Sequence, residues 1–242
     1  DGRREKRRSF GSRSISGDLQ EHGRPQHRDC GEAIILDKLA NLMAAKLPQE
    51  IEDCGRGDAR QLGSITADAF QNDPFNAWLF RNPQAMEATF SLLARDVYAP
   101  RGMCHRIGDH AATLWLASDQ SGEPSLKSLL PIYWAITRGF DFAAYKRIDI
   151  ATKAMVRHKP KEPHLYLFLI GSRLDARGKG YGGKLMAPVI SACDDAGIPV
   201  YLENSNPANQ GFYGGFGFER ISLFSPTPGA PPLEGMWRAP TG

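Results

Sequence analysis

His164-Leu165-Tyr166-Leu167-Phe168-Leu169-Ile170-Gly171 runs through a short polar loop into Arg177-Gly178-Lys179-Gly180-Tyr181-Gly182-Gly183-Lys184. The first half is an apolar run of strand length. The second half is glycine-rich and basic, and opens onto Leu185, Met186, Val189, Ile190 and Cys193 at helical spacing. The order is strand, glycine loop, helix. Glycines let a backbone approach a ligand closely and turn its N–H groups outward. A helix N-terminus adds partial positive charge, and Arg177, Lys179 and Lys184 add full charges. These residues read as a cradle for phosphate or pyrophosphate.

Three ligand classes use such cradles. A nucleoside triphosphate loop needs G-x-x-x-x-G-K-[ST], which this chain lacks. A dinucleotide fold needs G-x-G-x-x-G, which Gly178, Gly180 and Gly183 match literally. Glu203 follows about 20 residues on, where a ribose-binding carboxylate would stand. That reading fails on position. The fingerprint should follow its strand immediately, but Ser172 to Ala176 intervene. Only about 60 residues remain, too few for the other strands and crossovers of such a fold.

The third class is acetyl-coenzyme A. Arg177-x-x-Gly180-x-Gly182 resembles the [QR]-x-x-G-x-[GA] motif of the GNAT superfamily of N-acetyltransferases. The likeness extends through His158-Lys159-Pro160-Lys161-Glu162-Pro163, Tyr201-Leu202-Glu203-Asn204-Ser205-Asn206 and Asn209-Gln210-Gly211-Phe212-Tyr213-Gly214-Gly215-Phe216-Gly217-Phe218. It ends in Gly229-Ala230-Pro231-Pro232 and Met236-Trp237-Arg238. This order is similar to the subgroup that includes puromycin N-acetyltransferase. Ser172-Arg173-Leu174, Gly214-Gly215 and Glu234 depart from the subgroup pattern. The first should alter the start of the glycine loop, the second should weaken the helix after Tyr213, and the third bears on which substrate fits.

Composition sets the outer bounds. The chain has 242 residues, 41% hydrophobic and 24% charged, which suits one globular domain with a tail. A net charge of +3 is too small to argue for nucleic acid or anionic membrane as a partner. Cys30, Cys54, Cys104 and Cys193 are scattered, with no zinc spacing, so no metal is expected and the thiols should be reduced. No apolar run reaches membrane-spanning length, and the polar, basic start does not read as a secretory signal. The expectation is a cytoplasmic protein, or a nuclear one if the basic tail is native.

Residues 1–44 are expected to be a disordered basic extension that need not be native, with Met43 a natural start for the domain. Residues 32–46 hold a short helical pattern. The domain then covers 45–242. Gln49–Cys54 reads as a first strand, and Asp58 caps a helix with Leu62, Ile65, Ala69 and Phe70 on one face. Asp73-Pro74-Phe75 breaks it. Asn82-Pro83 opens a second helix striped by Met86, Phe90, Leu93 and Val97. Met103–Ile107 and Ala111–Ala117 form a hairpin around Gly108-Asp109-His110, in which His105 and His110 read as structural or solvated. A helical insert at about 121–160 follows, either an aromatic substrate lid or further core. The resemblance implies an α/β GNAT fold, a mixed central sheet with helices on both faces, completed by His164–Gly171, Pro199–Glu203, Gly217–Phe224 and Leu233–Arg238.

The resemblance also implies the chemistry. Acetyl-CoA would enter where strands 164–171 and 199–203 part, its pantetheine arm against the backbone of Ile170, Gly171 and Ser172. Arg177, Gly178, Lys179, Gly180, Tyr181 and Gly182 would hold the pyrophosphate. Asn206 or Asn209 would bond the arm, or cap the helix that follows. Tyr213 would protonate the leaving sulfur. Glu203 would serve as general base or bind a cationic amine, with His158 and His164 as other bases. The expected activity is direct acetyl transfer to a small primary amine, in detoxification or antibiotic resistance. Acetylation of a protein amine, or a catalytically silent acetyl-CoA-binding module, remain as other readings.

Overall fold

The computed structural model describes residues 38–39, 42, 47–120, 122 and 143–241. The expectations for the basic extension therefore fall outside the described residues, except at Lys38, Leu39 and Leu42, which are helical. The aromatic stretch of the insert up to residue 142 also falls outside them.

The order of elements follows the punctuation of the sequence. Strand β1 is only Glu52–Asp53, within the longer strand expected at Gln49–Cys54. A 3-10 turn at Arg56–Asp58 leads into α1, Ala59–Phe70. Asp58 stands at the start of α1, but its Oδ2 accepts the Gly55 N–H at 2.9 Å and so closes the turn instead of the helix. Asp73 ends the connection that follows. Its Oδ1 accepts the Asn76 N–H at 2.9 Å and opens α2, Pro74–Phe80. Asn82 caps α3, Pro83–Leu93, through the N–H groups of Gln84 and Ala85. Both helices carry proline at their first position, where no N–H is needed. The helix then widens to π spacing over Ala94–Tyr98.

Strands β2, Met103–Ile107, and β3, Ala111–Ala117, form the expected hairpin. Helix α4 spans Ala143–His158. Then come β4, Leu165–Ser172; α5, Tyr181–Ala196; β5, Val200–Asn204; the short α6, Gln210–Gly214; β6, Glu219–Phe224; and β7, Leu233–Arg238. Helix α6 ends at Gly214, with Gly215 as its cap.

The strands join in one mixed sheet in the order β1-β2-β3-β4-β5-β7-β6. Among the described residues only β4 and β5 are parallel neighbours. The sheet is packed on both faces. Leu62, Ile65, Phe75, Phe80, Met86, Phe90 and Val97 of the N-terminal helices cover one face, over Leu114, Leu116 and Leu169. Met186, Val189, Ile190 and Cys193 of α5 cover the other, over Leu165, Leu167, Val200, Leu202 and Met236. Leu39 is enclosed in this second core.

One irregularity redirects β4. Against β3, Leu114 faces Leu169 while Trp115 faces Leu167, so Phe168 is an extra residue. Such a bulge shifts the inward–outward alternation by one. Leu165 and Leu167 therefore pack under α5, whereas Leu169 packs under the N-terminal helices. Gly171 then faces α1, and a β-carbon placed there would lie 2.5 Å from the Ala69 β-carbon. Glycine at 171 is what lets α1 lie on the end of this strand.

Candidate active site

The site begins where two parallel strands stop pairing. Leu165, Tyr166 and Leu167 pair with Val200, Tyr201 and Leu202. Beyond them, β4 continues to Ser172 while pairing only with β3. Its other edge, from Phe168 onward, is open toward β5. Backbone N–H and C=O groups there are free to take an extended ligand as an added strand.

Loop and helix meet at the end of this edge. Arg173 N–H donates to His110 O at 2.8 Å, and its guanidinium reaches Asp109 O at 2.7 Å and Ser64 Oγ at 3.1 Å. Leu174 N–H donates to Asp68 Oδ2 at 2.8 Å. The unusual Ser172-Arg173-Leu174 segment is thus tied to α1 and to the β2–β3 turn, and a 3-10 turn at Leu174–Ala176 follows. Arg177 Nη2 donates to Ala69 O at 2.6 Å. Gly178 and Gly180 hold φ of 75° and 79°, the left-handed region that a side chain resists. Gly180 stands immediately before α5, whose first intrahelical bond runs from Lys184 N–H to Gly180 O. The N–H groups of Tyr181, Gly182 and Gly183 are left at the helix mouth, as at any α-helix start. Of the charges expected there, Lys184 pairs with Glu50 at 3.0 Å and Arg177 is bound to backbone, while Lys179 is exposed.

Side chains on the face opposite α5 form an aromatic ground at the mouth of the gap. Tyr166 and Tyr201 share one register position, with ring centroids 6.1 Å apart. Phe168 stacks flat on Tyr98 at 4.6 Å, so the bulge of β4 meets the π turn. His164 lies edge-on to Tyr201 and Trp237, at 5.5 and 5.6 Å. Glu203, two residues after Tyr201, falls on the same face. Burial pushes its carboxyl above the usual carboxylate range, while the Tyr166 hydroxyl, the Lys159 ammonium and the Tyr201 hydroxyl pull the other way. Glu203 Oε2 and the Tyr201 hydroxyl are buried and form no hydrogen bond of full geometry, although the Tyr166 and Tyr201 hydroxyls lie near enough to the carboxyl to act on it.

Tyr213 lies on the other face, in the core under α5, against Phe212 and Phe218. Burial, and then the nearby Asp73 carboxylate, raise its phenol well above the usual value. Asp73 Oδ2 in turn accepts the Ser205 hydroxyl at 2.7 Å, which ties α2 to the loop after β5. Glu203 and Tyr213 therefore belong to opposite faces of the sheet. Asn206 Oδ1 accepts the Ala208 N–H at 3.1 Å, a capping bond, and Asn209 makes no side-chain cap. His164 is fully enclosed with Nδ1 on Glu162 O at 2.6 Å, and burial lowers its pKa. His158 bonds Ala154 O and stacks on Phe224 at 4.0 Å. Both histidines are engaged in packing. Glu234 is also engaged: 5% exposed, it takes bonds from Asn204, Gln210 and Arg220. Tyr98, Lys159, Tyr166, Phe168 and Asp73 were not singled out from sequence. For Tyr166 and Glu203, period-2 alternation along β4 and β5 was the available signal.

Residues 105–218 match the Acetyltransferase (GNAT) family. An uncharacterized N-acetyltransferase of Schizosaccharomyces pombe is 30% identical over an alignment of 176 residues that covers 66% of this chain and 70% of that protein. The chain belongs to the GNAT acetyltransferases. Its fold is theirs. A solved acetyltransferase of Corynebacterium glutamicum, described as histone acetyltransferase HPA2 and related, aligns with a TM-score of 0.59 at 23% identity, over 79% of this chain and 96% of that one. Arylalkylamine N-acetyltransferase 2 of Aedes aegypti aligns with a TM-score of 0.51 at 11% identity, over 79% and 98%. GNAT enzymes use acetyl-CoA as co-substrate. The open edge of β4 and the left-handed glycines before α5 suit a pantetheine arm and a pyrophosphate. Among the described residues, no group of three or more His, Cys, Asp or Glu side chains could hold a metal ion, and no helix is long and apolar enough to cross a membrane.

Proposed function

We propose that this GNAT enzyme acetylates the amine of a small molecule directly from acetyl-CoA, with Glu203 as proton acceptor and Tyr213 as proton donor. The observation that carries this reading is the buried Oε2 of Glu203, which forms no hydrogen bond of full geometry, on an aromatic ground at the point where β4 and β5 part. A cationic amine is the complement to such a carboxylate, and aromatic faces favour cations as well. The resemblance to the puromycin N-acetyltransferase subgroup is the ground for a detoxifying role.

The thioester supplies an activated acetyl group. The backbone of Ile170, Gly171 and Ser172 orients it along the open edge. The N–H groups of Arg177, Gly178, Lys179, Gly180, Tyr181 and Gly182 receive the pyrophosphate, and Asn206 or Asn209 steadies the arm. Glu203 takes one proton from the bound ammonium and passes it to solvent, which frees the nitrogen lone pair, and it takes the second as that nitrogen bonds the acetyl carbon. A raised carboxyl pKa suits that task, because it lies nearer the working pH. Tyr213 gives its proton to the sulfur as the carbon–sulfur bond breaks, and solvent restores it. Burial keeps the phenol protonated until then.

The test is thiol release from acetyl-CoA across a panel of small amines, with Tyr213→Phe and Glu203→Gln beside the wild type. Turnover that both variants depress supports the reading. Acetyl-CoA binding without turnover of any small amine would sink it.

A further inference from the structure

We propose that the acceptor is a zwitterion, a small molecule whose amine stands close to a carboxylate, with Lys159 receiving the carboxylate and Glu203 the amine. This rests on the small-amine reading and goes beyond it. Lys159 follows α4 directly, its N–H closing the helix on Met155 O at 2.9 Å. Its side chain lies across the Tyr166 ring, with Nζ 3.7 Å from the ring centroid. The residue is half-buried. Burial lowers its pKa, and the Glu203 charge opposes that shift. An ammonium has three donors to fill. Among the described residues, no acceptor makes a hydrogen bond or ion pair with Lys159. On the same face, Glu203 Oε2 and the Tyr201 hydroxyl form no hydrogen bond of full geometry, and the Glu203 charge is felt at Lys159.

A cation and an anion thus share one aromatic surface, each incompletely paired and not joined to each other. Protein interiors rarely leave such groups open, because desolvated charge is costly without a partner. A ligand that brings one charge of each sign completes both. A simple amine satisfies Glu203 alone, and a polyamine also sets a second cation near Lys159. Lys159 has a further effect on a zwitterion's amine. A fixed positive charge nearby favours the neutral amine, and the neutral amine is the nucleophile. Phe168 and Trp237, both partly exposed, add aromatic faces beside this ground.

The experiment compares acceptors that differ only in the carboxylate: phenylalanine with 2-phenylethylamine, tyrosine with tyramine, arginine with agmatine. Thiol release by the full chain is followed at saturating acetyl-CoA. In at least one pair the amino acid should have the higher kcat/KM, by about tenfold or more, as expected for one charged hydrogen bond. Lys159→Met should lower that ratio by a similar factor through KM, and Lys159→Arg should restore part of it. The ratio within a pair is the readout, since structural damage would depress both members alike. Preference for the decarboxylated amine in every pair, or a ratio unmoved by Lys159→Met, overturns the zwitterion while leaving the small-amine reading standing. No thiol release with any acceptor overturns both.

Discussion

Leu167 and Leu202 face each other at the last paired step between β4 and β5, and beyond them the strands share no register. Both side chains are buried under α5. The core therefore holds the strands together up to this step, and the five residues from Phe168 to Ser172 keep a free edge. Unpaired edge amides exchange with solvent until something covers them. Acetyl-CoA should slow hydrogen exchange in peptides that span 168–172 and 177–183, and NADH should not. Unchanged exchange across 168–172 under saturating acetyl-CoA would show that this edge does not take the ligand.

Tyr213 is predicted to govern the chemical step rather than binding. Its phenol is buried and its pKa is raised. Tyr213→Phe keeps the ring in the core beneath α5 and removes only the proton. We expect kcat to fall by about 10²-fold or more, the low end of general acid catalysis, with little change in KM for acetyl-CoA. Because the raised pKa keeps Tyr213 protonated, the wild-type rate should show no alkaline fall below about pH 10, the ordinary phenol value. An alkaline limb well below that, absent in the variant, would contradict the assignment of burial as the controlling effect.

Much of this architecture was legible in the chain itself, and the exceptions have physical causes. Asn82-Pro83 announced its helix because cap and first position use different side-chain chemistry. The 103–117 hairpin was readable from apolar runs bounded by turn residues, whereas Leu233–Arg238 came from the family resemblance. The glycine loop stood out because left-handed backbone favours glycine. The bulge at Phe168 was hidden. An unbroken Leu165, Leu167, Leu169 alternation puts all three on one face, and only pairing with β3 reveals the extra residue. Tyr98 and Lys159 were hidden for a different reason. Phe168 is distant in sequence from Tyr98, and Lys159 meets Tyr166 across the turn between α4 and β4, so both contacts exist only in the folded chain. The hydrogen bonds of Glu234 were hidden likewise, because its neighbours in space, Asn204, Gln210 and Arg220, come from three other segments.

Glu203 should weaken the fold at neutral pH. Its folded-state pKa is raised, chiefly by burial. A group of this sign stabilises the fold below the ordinary carboxyl value of about 4.3, and that contribution is lost as pH rises through the raised value. The ionised carboxylate is the less favoured buried form. Glu203→Gln should therefore raise Tm relative to wild type at pH 8, and the difference should shrink toward pH 4, while activity falls. A variant less stable than wild type at pH 8 would mean that the hydroxyls of Tyr166 and Tyr201 and the Lys159 charge outweigh burial.

Asp194 titrates in the opposite sense and anchors the far end of the sheet. Arg238 of β7 reaches both its oxygens, at 2.7 and 2.8 Å, and the Thr241 N–H donates to Oδ1 at 2.7 Å. The Arg238 hydrogen bonds hold the Asp194 carboxyl below the usual range. The stability it contributes is present above the ordinary Asp value of about 3.9 and is lost as pH falls through the lowered one. Asp194→Asn should cost about 1.5–3 kcal/mol at pH 7, the range for hydrogen bonds to charged groups. Wild type and variant should converge only in strong acid. Equal Tm values at pH 7 would show that the pair adds nothing.

Gly171 and Ala69 test whether the strand end is held by close packing. A β-carbon at 171 would lie 2.5 Å from that of Ala69, inside any permitted contact. Ala69 also supplies the carbonyl that Arg177 holds at 2.6 Å, so a shift of α1 here moves the cradle. Gly171→Ala should destabilise by about 1–3 kcal/mol, the usual penalty for an overpacked site. For a domain of this size Tm should drop by about 2–4 °C per kcal/mol, and KM for acetyl-CoA should rise. Ala69→Gly removes the opposing β-carbon. Combined with Gly171→Ala it should recover KM and part of the stability, less about 0.5–1 kcal/mol for glycine in a helix. If the double variant shows only the sum of the two single losses, the contact is not what positions the strand end.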